Sequence, residues 1–489
     1  MELAVIIVYG ALLTFILFYS FIQLHLTIIY RRNHKKTLSA KPIPDSELPM
    51  VTVQLPLYNE MYVVERLLDC IAQFDYPREK LEIQVLDDST DESFEIGAAK
   101  VKELQDQGLD IQHIKRPVRK GYKAGALAYG MEFCKGEFIA IFDADFLPNP
   151  DFLRKTIPFF NSDKVGVVQT KWEHLNEDYS LLTRLQAFGL DAHFSIEQKG
   201  RNAAKHFINF NGTAGVWRKS CIEDAGGWHS DTITEDLDLS YRAQLKGWEF
   251  TYLENVGSPS ELPAAMNALK NQQFRWTKGA AECMRKNLWK VLKNRELPMS
   301  TKIHAVFHLM NSFLFICVFV LAVLSVPMLF IKKDFPEYET IFKLASVYMT
   351  SLLILGFFYW TSYKNSKGED AVSFFKFIRF FFLFISISMG LSLHNAIAVI
   401  EGYIGKKTPF VRTPKFNIKT ADQKWQKNIY LVSSLSWLTV IEALLAVYFL
   451  GGLYCAYWLE DFGLFPFHFM LLTGFSYVSY YSIKHSVNA

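Results

Sequence analysis

Two hydrophobic patterns divide the chain. From Leu3 to Tyr30 the run LAVIIVYGALLTFILFYSFIQLHLTIIY carries no charge, and at about 1.5 Å rise per residue it exceeds the roughly 20 residues needed to cross hydrocarbon. Arg31, Arg32, Lys35 and Lys36 follow at once. A cleaved leader has its cations in front and a shorter apolar core. Here Glu2 stands in front and the cations behind, so the run reads as an uncleaved anchor with its basic end in the cytosol. Apolar runs return at Asn311–Ile331, Ile341–Tyr363, Phe374–Tyr403, Leu431–Leu453 and Leu464–Tyr481. If all of them span, the basic stretch GKKTPFVRTPKFNIKTADQKWQK, Gly405–Lys427, falls outside, against the positive-inside tendency. Phe374–Tyr403 is interrupted by Lys376, Arg379, His394 and Glu401, and its FFKFIRFFF start suits an amphipathic helix lying in the interface. Laying it there returns 405–427 to the cytosol and leaves five spanning helices.

Between the anchor and Asn311 short apolar runs alternate with helical periodicity: VTVQLPL, EMYVVERLLDCIAQF, LEIQVLDD, a helix from about Glu92, IQHIK, GALAYGMEFC and EFIAIFDAD. This alternation predicts a mostly parallel sheet covered by helices, with ligands collecting outside the carboxyl ends of its strands. The expected organisation is an anchor (1–30), a soluble α/β domain (31–299) and a C-terminal membrane domain (300–489) that includes an interfacial helix at Ser300–Met310 and the cytosolic loop 405–427. Composition agrees: 50% of the 489 residues are hydrophobic, including 42 Phe, which suits an integral membrane protein with a large soluble part. The formal charge of +3 from 52 basic and 49 acidic residues gives nothing global to hold nucleic acid. Six scattered cysteines with no C-x-x-C pair speak against a zinc site or a disulfide framework.

Three predicted strands end in polar clusters, at Leu55–Glu60, Leu86–Thr90 and Phe142–Asp145. Asp87, Asp88 and Ser89 alone read as ordinary helix caps. Asp143 and Asp145, two carboxylates one residue apart at the end of an apolar strand, repel each other unless a cation lies between them. Hard divalent ions such as Mg²⁺ or Mn²⁺ favour such oxygens together with substrate phosphates. Downstream, the glycines at 212, 215, 226 and 227 suggest loops that approach a ligand closely. Thr234-Glu235-Asp236 reads as a helix N-terminus with acids in its first turn, which leaves a catalytic carboxylate possible on that turn.

In order, Asp87-Asp88, Asp143-Ala144-Asp145, Thr234-Glu235-Asp236 and Gln272-Gln273-Phe274-Arg275-Trp276 resemble the D, D-x-D, T-E-D, Q-x-x-R-W series of membrane-embedded family 2 glycosyltransferases. VGVVQTKWEHLN, FNGTAGVW, DAGGW and ELP look most like the cellulose-synthase-like A mannan synthases and their bacterial relatives. The resemblance implies a GT-A fold and inverting transfer of a hexose from a nucleotide sugar of the GDP-mannose or UDP-glucose type to a growing β-glycan. It implies Tyr58 and Glu60, with Asp87 or Asp88, on the base and ribose, and Asp143 with Asp145 on Mg²⁺ or Mn²⁺. Lys123 and Arg275 would face the diphosphate. Asp236 would be the general base, and Glu235, Gln272 and Trp276 would face the acceptor. Phe410, Thr413 and Lys415 match a loop of the form F-x-V-T-x-K that closes over the donor in the polymer synthases, with Arg412 departing from the Val. Glycan acceptor and membrane lipid are the other expected partners, nucleic acid is not one, and a bacterial inner membrane with the catalytic domain in the cytosol is the expected location. A ceramide glucosyltransferase, which adds a single sugar to a lipid, shares a similar motif series; the number of helices and the loop favour the polymer.

Overall fold

A computed structural model describes all residues except 1, 37, 369–372, 409–410, 419–424, 426–427, 432–435 and 488–489. The anchor is helix α1 (Glu2–Asn33). The domain after it is built on strands β1 (Val51–Leu57), β2 (Leu81–Asp87), β3 (Ile111–Ile114), β4 (Phe138–Ile141), β5 (Val165–His174), β6 (Gly215–Arg218) and β7 (Glu249–Ser260). They form a seven-stranded sheet in the order β3-β2-β1-β4-β6-β5-β7. The period-2 pattern explains the burial. Val51, Val53, Leu55 and Leu57 of β1 enter one apolar layer with Ile83 and Val85, while Thr52 and Gln54 face the other way. There Thr52 Oγ1 donates to Glu82 at 2.6 Å and Gln54 Nε2 to Gln84 at 3.0 Å, so these buried polar side chains pair across neighbouring strands.

β3, β2, β1 and β4 run parallel, as do β5 and β7, but β6 runs opposite to both its neighbours. The sheet is mostly parallel, as expected, with a reversal at β6. Its reason lies just before β6, where Ala214 N–H donates to Ile141 O and Asp143 N–H to Thr213 Oγ1, each at 2.9 Å. The chain enters β6 beside the carboxyl end of β4 and can only run back down it. That entry lays Phe210–Ala214 across the strand ends where the polar clusters lie.

Helices α2 (Val64–Ala72), α3 (Ser93–Asp106), α4 (Tyr122–Met131) and α5 (Leu181–Ala192) cover the sheet or lead from it, and α6 (Glu235–Leu245) and α7 (Met266–Lys293) bring the later motifs to it. Next come α8 (Met299–Leu309), α9 (Phe313–Asp334), α10 (Met349–Lys367), α11 (Phe374–Gly390), α12 (Ser392–Ile404), α13 (Trp437–Trp458) and α14 (Phe465–Val487). Among the described residues four helical stretches are long and apolar enough to cross a membrane: Glu2–Asn33, Phe313–Asp334, Pro336–Lys367 and Trp437–Trp458. The stretch expected to lie as one interfacial helix is two helices, α11 and α12, bent by 51°. α11 packs on α14 so closely that a Cβ on Gly474 would meet Ser386 O, the small-residue contact that lets apolar helices approach. α12 turns instead onto α7 and α9. Its polar residues are used there: His394 Nε2 donates to Lys270 O at 3.0 Å and Asn395 Nδ2 to Gln273 Oε1 at 2.8 Å.

Candidate active site

The carboxyl ends of β1, β2 and β4 open into a cleft lined by Tyr58, Glu60, Asp88, Lys123, Asp143, Asp145 and Arg275, and covered by Arg412, Thr413 and Lys415. Each member is placed by a local rule. Asn59, at φ 54°, accepts from Thr90 N–H at 2.9 Å, while its own N–H donates to Ser89 Oγ at 2.8 Å; the loops after β1 and β2 are thus tied together. Asp143 is held through its backbone by Thr213. Lys123 lies in the first turn of α4, bonds Asp143, and donates to Gly212 O at 2.8 Å. Gly212 has φ +81°, and a Cβ there would lie 3.1 Å from Asp236 Oδ2 and 3.5 Å from Lys123 Nζ. Only glycine lets this backbone come so near both groups without strain. The glycine-rich stretch thereby joins the D-x-D to the acids of α6.

The neighbouring acids at the end of β2 part company. Asp88 faces the cleft and is paired with Arg116, whose Nε donates at 3.0 Å. Asp87 is buried and accepts from Ser89 N–H at 2.8 Å, with His113 Nε2 2.9 Å from its other oxygen, so it braces β2 against β3 and does not line the cleft. On α7, Gln272, Arg275 and Trp276 stand at i, i+3 and i+4 and share a face. Arg275 donates to Thr413 Oγ1 at 2.7 Å, and the Trp276 ring lies 6.4 Å from that of Trp172. Gln273 points to Asn395 and Phe274 packs on His394. The pentapeptide thus has one face toward the catalytic domain and another against α12. Gln272, Trp276, Glu235 and Asp236 lie outside the lining of this cleft.

Charge in the site is concentrated and nearly balanced. Burial raises Asp236, helped by Asp143, and burial with the Asp236 charge raises Glu235. Burial also pushes Glu60 up to about 7, against Arg412 and Lys415. Lys123 is disfavoured by burial, yet Asp143, Glu235 and Asp236 hold it above its ordinary range. Asp145 is 2% exposed; its Oδ2 meets Lys415 Nζ at 2.6 Å, and its Oδ1 has no hydrogen-bond partner. Two carboxylates that each draw a lysine ammonium, one of them with a spare buried oxygen, are a donor set that fits a hard divalent cation.

Several groups that shape the site were invisible in the motif series. Arg119 lies over the Tyr58 ring, 3.4 Å from its centroid. Arg412 donates to Tyr58 O at 2.8 Å and to Asn59 O, and meets Glu60 at 3.1 Å, so the departure from the loop pattern is the residue that fastens the loop to β1. Glu261 accepts from Phe416 and Asn417 N–H, each at 2.9 Å. The run KRPVRKGYK, Lys115–Lys123, was the readable signal for the arginines: cations gathered just before a helix at the strand ends. Phe410 lies outside the described residues. If Glu261 docks the loop, Glu261→Ala should raise the donor KM on the order of tenfold while changing kcat less, since two charge-assisted bonds are lost. Steady-state kinetics over a donor series measures this, and an unchanged KM speaks against the docking role.

A sheet of this kind with a D-x-D at its switch point and acids from a helix N-terminus beside it defines a nucleotide-sugar-dependent hexosyltransferase of the GT-A fold. A family profile described as "Glycosyltransferase like family 2" matches residues 49–279. The chain is 37% identical over 411 residues to glucomannan 4-β-mannosyltransferase 1 of rice (Oryza sativa subsp. japonica), covering 79% of this chain and 74% of that one. It is 36% identical over 336 residues to glucomannan 4-β-mannosyltransferase 9 of Arabidopsis thaliana, covering 64% and 63%. Over 276 residues it is 45% identical to a probable rice glucomannan 4-β-mannosyltransferase 2, where it spans about half the relative's length: 55% of this chain and 47% of the other. Among solved structures, a mannosyltransferase of Pyrobaculum calidifontis in complex with GDP-Man and Mn²⁺ shares the fold, with TM-score 0.50, 21% identity, and 73% and 98% coverage of this chain and of that one. The chain belongs to glycosyltransferase family 2, among its cellulose-synthase-like members.

Proposed function

We propose that this protein is a processive β-mannan synthase that transfers mannose from GDP-mannose to the non-reducing end of a glycan and feeds the polymer toward its membrane helices. The observation that carries the choice of sugar is the match to a rice glucomannan mannosyltransferase over 411 residues, well beyond the catalytic profile. The relatives matched are plant proteins, so the expected bacterial inner membrane has no support from them; the helices suit an integral membrane enzyme with its catalytic domain in the cytosol.

Asp143 and Asp145 would hold Mg²⁺ or Mn²⁺, which would supply positive charge to offset that developing on the departing diphosphate. Lys415 would leave Asp145 for the phosphates as the loop engages the donor. Tyr58 and Asp88 would border the base and ribose, and Lys123 and Arg275 would face the diphosphate. Asp236 takes the proton from the acceptor hydroxyl as its oxygen bonds to the anomeric carbon, the bond to the diphosphate breaks, and configuration inverts. Trp276 and Trp172 offer flat apolar faces to the acceptor sugar.

The test is incubation of the purified protein with radiolabelled GDP-mannose or UDP-glucose in Mg²⁺ or Mn²⁺. Alcohol-insoluble product from GDP-mannose, solubilised by an endo-β-mannanase, is expected. Polymer from UDP-glucose alone overturns the choice of donor, and a single-sugar lipid as sole product overturns the synthase reading.

A further inference from the structure

Away from the catalytic cleft, three histidines from three separate elements meet where the anchor joins the catalytic domain. His25 comes from α1, His206 from the segment after Lys199–Ala203, and His304 from α8. One ring nitrogen of each lies within 4.8 Å of one from each of the others. His25 Nδ1 is 2.9 Å from His304 Nε2, and the rings of His206 and His304 stack with centroids 4.1 Å apart. We propose that His25, His206 and His304 form a structural binding site for an imidazole-preferring divalent metal, zinc above all, that fastens the anchor helix and α8 to the catalytic domain.

Two features support it. His206 Nδ1 is 3.1 Å from Thr301 Oγ1, the kind of outer contact that fixes the ring of a metal-bound histidine and leaves its Nε2 for the metal. His25 is exposed near the basic end of the anchor, which leaves space beside it for a fourth ligand, as three-histidine zinc sites have.

The His25–His304 pair is close to the spacing needed. Zinc–nitrogen bonds of about 2.0–2.1 Å in a tetrahedron set ligand nitrogens about 3.4 Å apart, so the His25–His304 contact opens by only about half an ångström. Arg201 is the opposing charge nearby. Its Nη1 lies 3.7 Å from Glu197, whose carboxylate also meets His193 at 2.8 Å and Gln23 at 2.7 Å, so the cation is locally offset. Such a site differs in kind from the D-x-D, because imidazole nitrogens select late transition metals whereas carboxylates and phosphates select Mg²⁺ or Mn²⁺.

The test uses the full-length protein in detergent, stripped with a chelator and held in excess Mg²⁺ so that the carboxylate site is occupied. Zn²⁺ titration should give one tight equivalent and raise the unfolding temperature, and Co²⁺ should produce the intense visible absorption of a tetrahedral site. His25→Gln, an exposed position that should fold normally, should abolish the absorption and weaken Zn²⁺ binding by at least about tenfold; Asp145→Asn should leave both unchanged. Absence of a stoichiometric site overturns the proposal. So does an absorption band that survives His25→Gln or vanishes with Asp145→Asn.

Discussion

Asp236→Asn is expected to lower kcat by about 10²–10⁴-fold, the range for losing a positioned general base, with little change in binding of the nucleoside diphosphate. The amide keeps the shape of the carboxylate and can still accept from Leu237 N–H, now 2.8 Å from Asp236 Oδ1, so the fold of the turn should survive. What is lost is the capacity to take a proton, on an oxygen that faces Gly212 and Lys123 at the edge of the donor cleft. Asp238, two positions on, is the control. It is buried and engaged by Arg242 at 2.8 Å, Lys286 at 3.0 Å and Asn287 at 3.0 Å, so Asp238→Asn should reduce stability more than chemistry. Burial raises the Asp236 carboxyl, and a base works only when deprotonated. The acid limb of kcat/KM should therefore lie above the ordinary carboxylate range, with activity present above the raised pKa and lost as pH falls through it. Near-normal transfer by Asp236→Asn, or an acid limb at the usual carboxylate pKa, removes Asp236 from the role.

How much of this was legible in the chain depends on the range of the interaction that decides each feature. The strand ends and their acids could be read because apolar alternation and its abrupt end are local. The Q-x-x-R-W spacing could be read because 3.6 residues per turn places Gln272, Arg275 and Trp276 together. The division of labour between Asp87 and Asp88 could not, since it rests on His113 from a neighbouring strand. Lys415 meets Asp145 from 270 positions away, and Arg412, which looked like a departure from the loop pattern, turns out to hold the loop on β1. The reversed β6 is set by a backbone bond from Ala214 to Ile141 and one from Asp143 N–H to the Thr213 hydroxyl, both at the end of β4. Of the polar residues that suggested an interfacial helix at Phe374–Tyr403, His394 and Glu401 find partners on α7; a hydropathy pattern reads them only as interruptions.

The largest effect on stability is expected from Lys270→Met. Lys270 Nζ lies 2.8 Å from both carboxylate oxygens of Glu442 and 3.4 Å from Ser482 Oγ, joining α7 to α13 and α14. Glu442 is 0% exposed. Removing the lysine strands a carboxylate among apolar helices, and breaking such a pair from one side costs about 3–5 kcal/mol because the remaining charge is uncompensated. Thermal unfolding in detergent should shift down by several degrees. Activity should fall as well, since Lys270 sits one half-turn before Gln272 and its own carbonyl accepts from His394, so the face that carries Arg275 moves with it. The double variant Lys270→Met with Glu442→Leu separates the two meanings of the pair. A well-packed apolar replacement of both partners is often neutral or stabilising, so the unfolding temperature should recover. If activity recovers with it, the pair is a fastening only. If stability returns while transfer stays low, the charges themselves hold α7 in register. An unfolding temperature that does not move in the single variant would show that Glu442 is neutralised by protonation or water and that the pair contributes nothing to the seating of the catalytic domain.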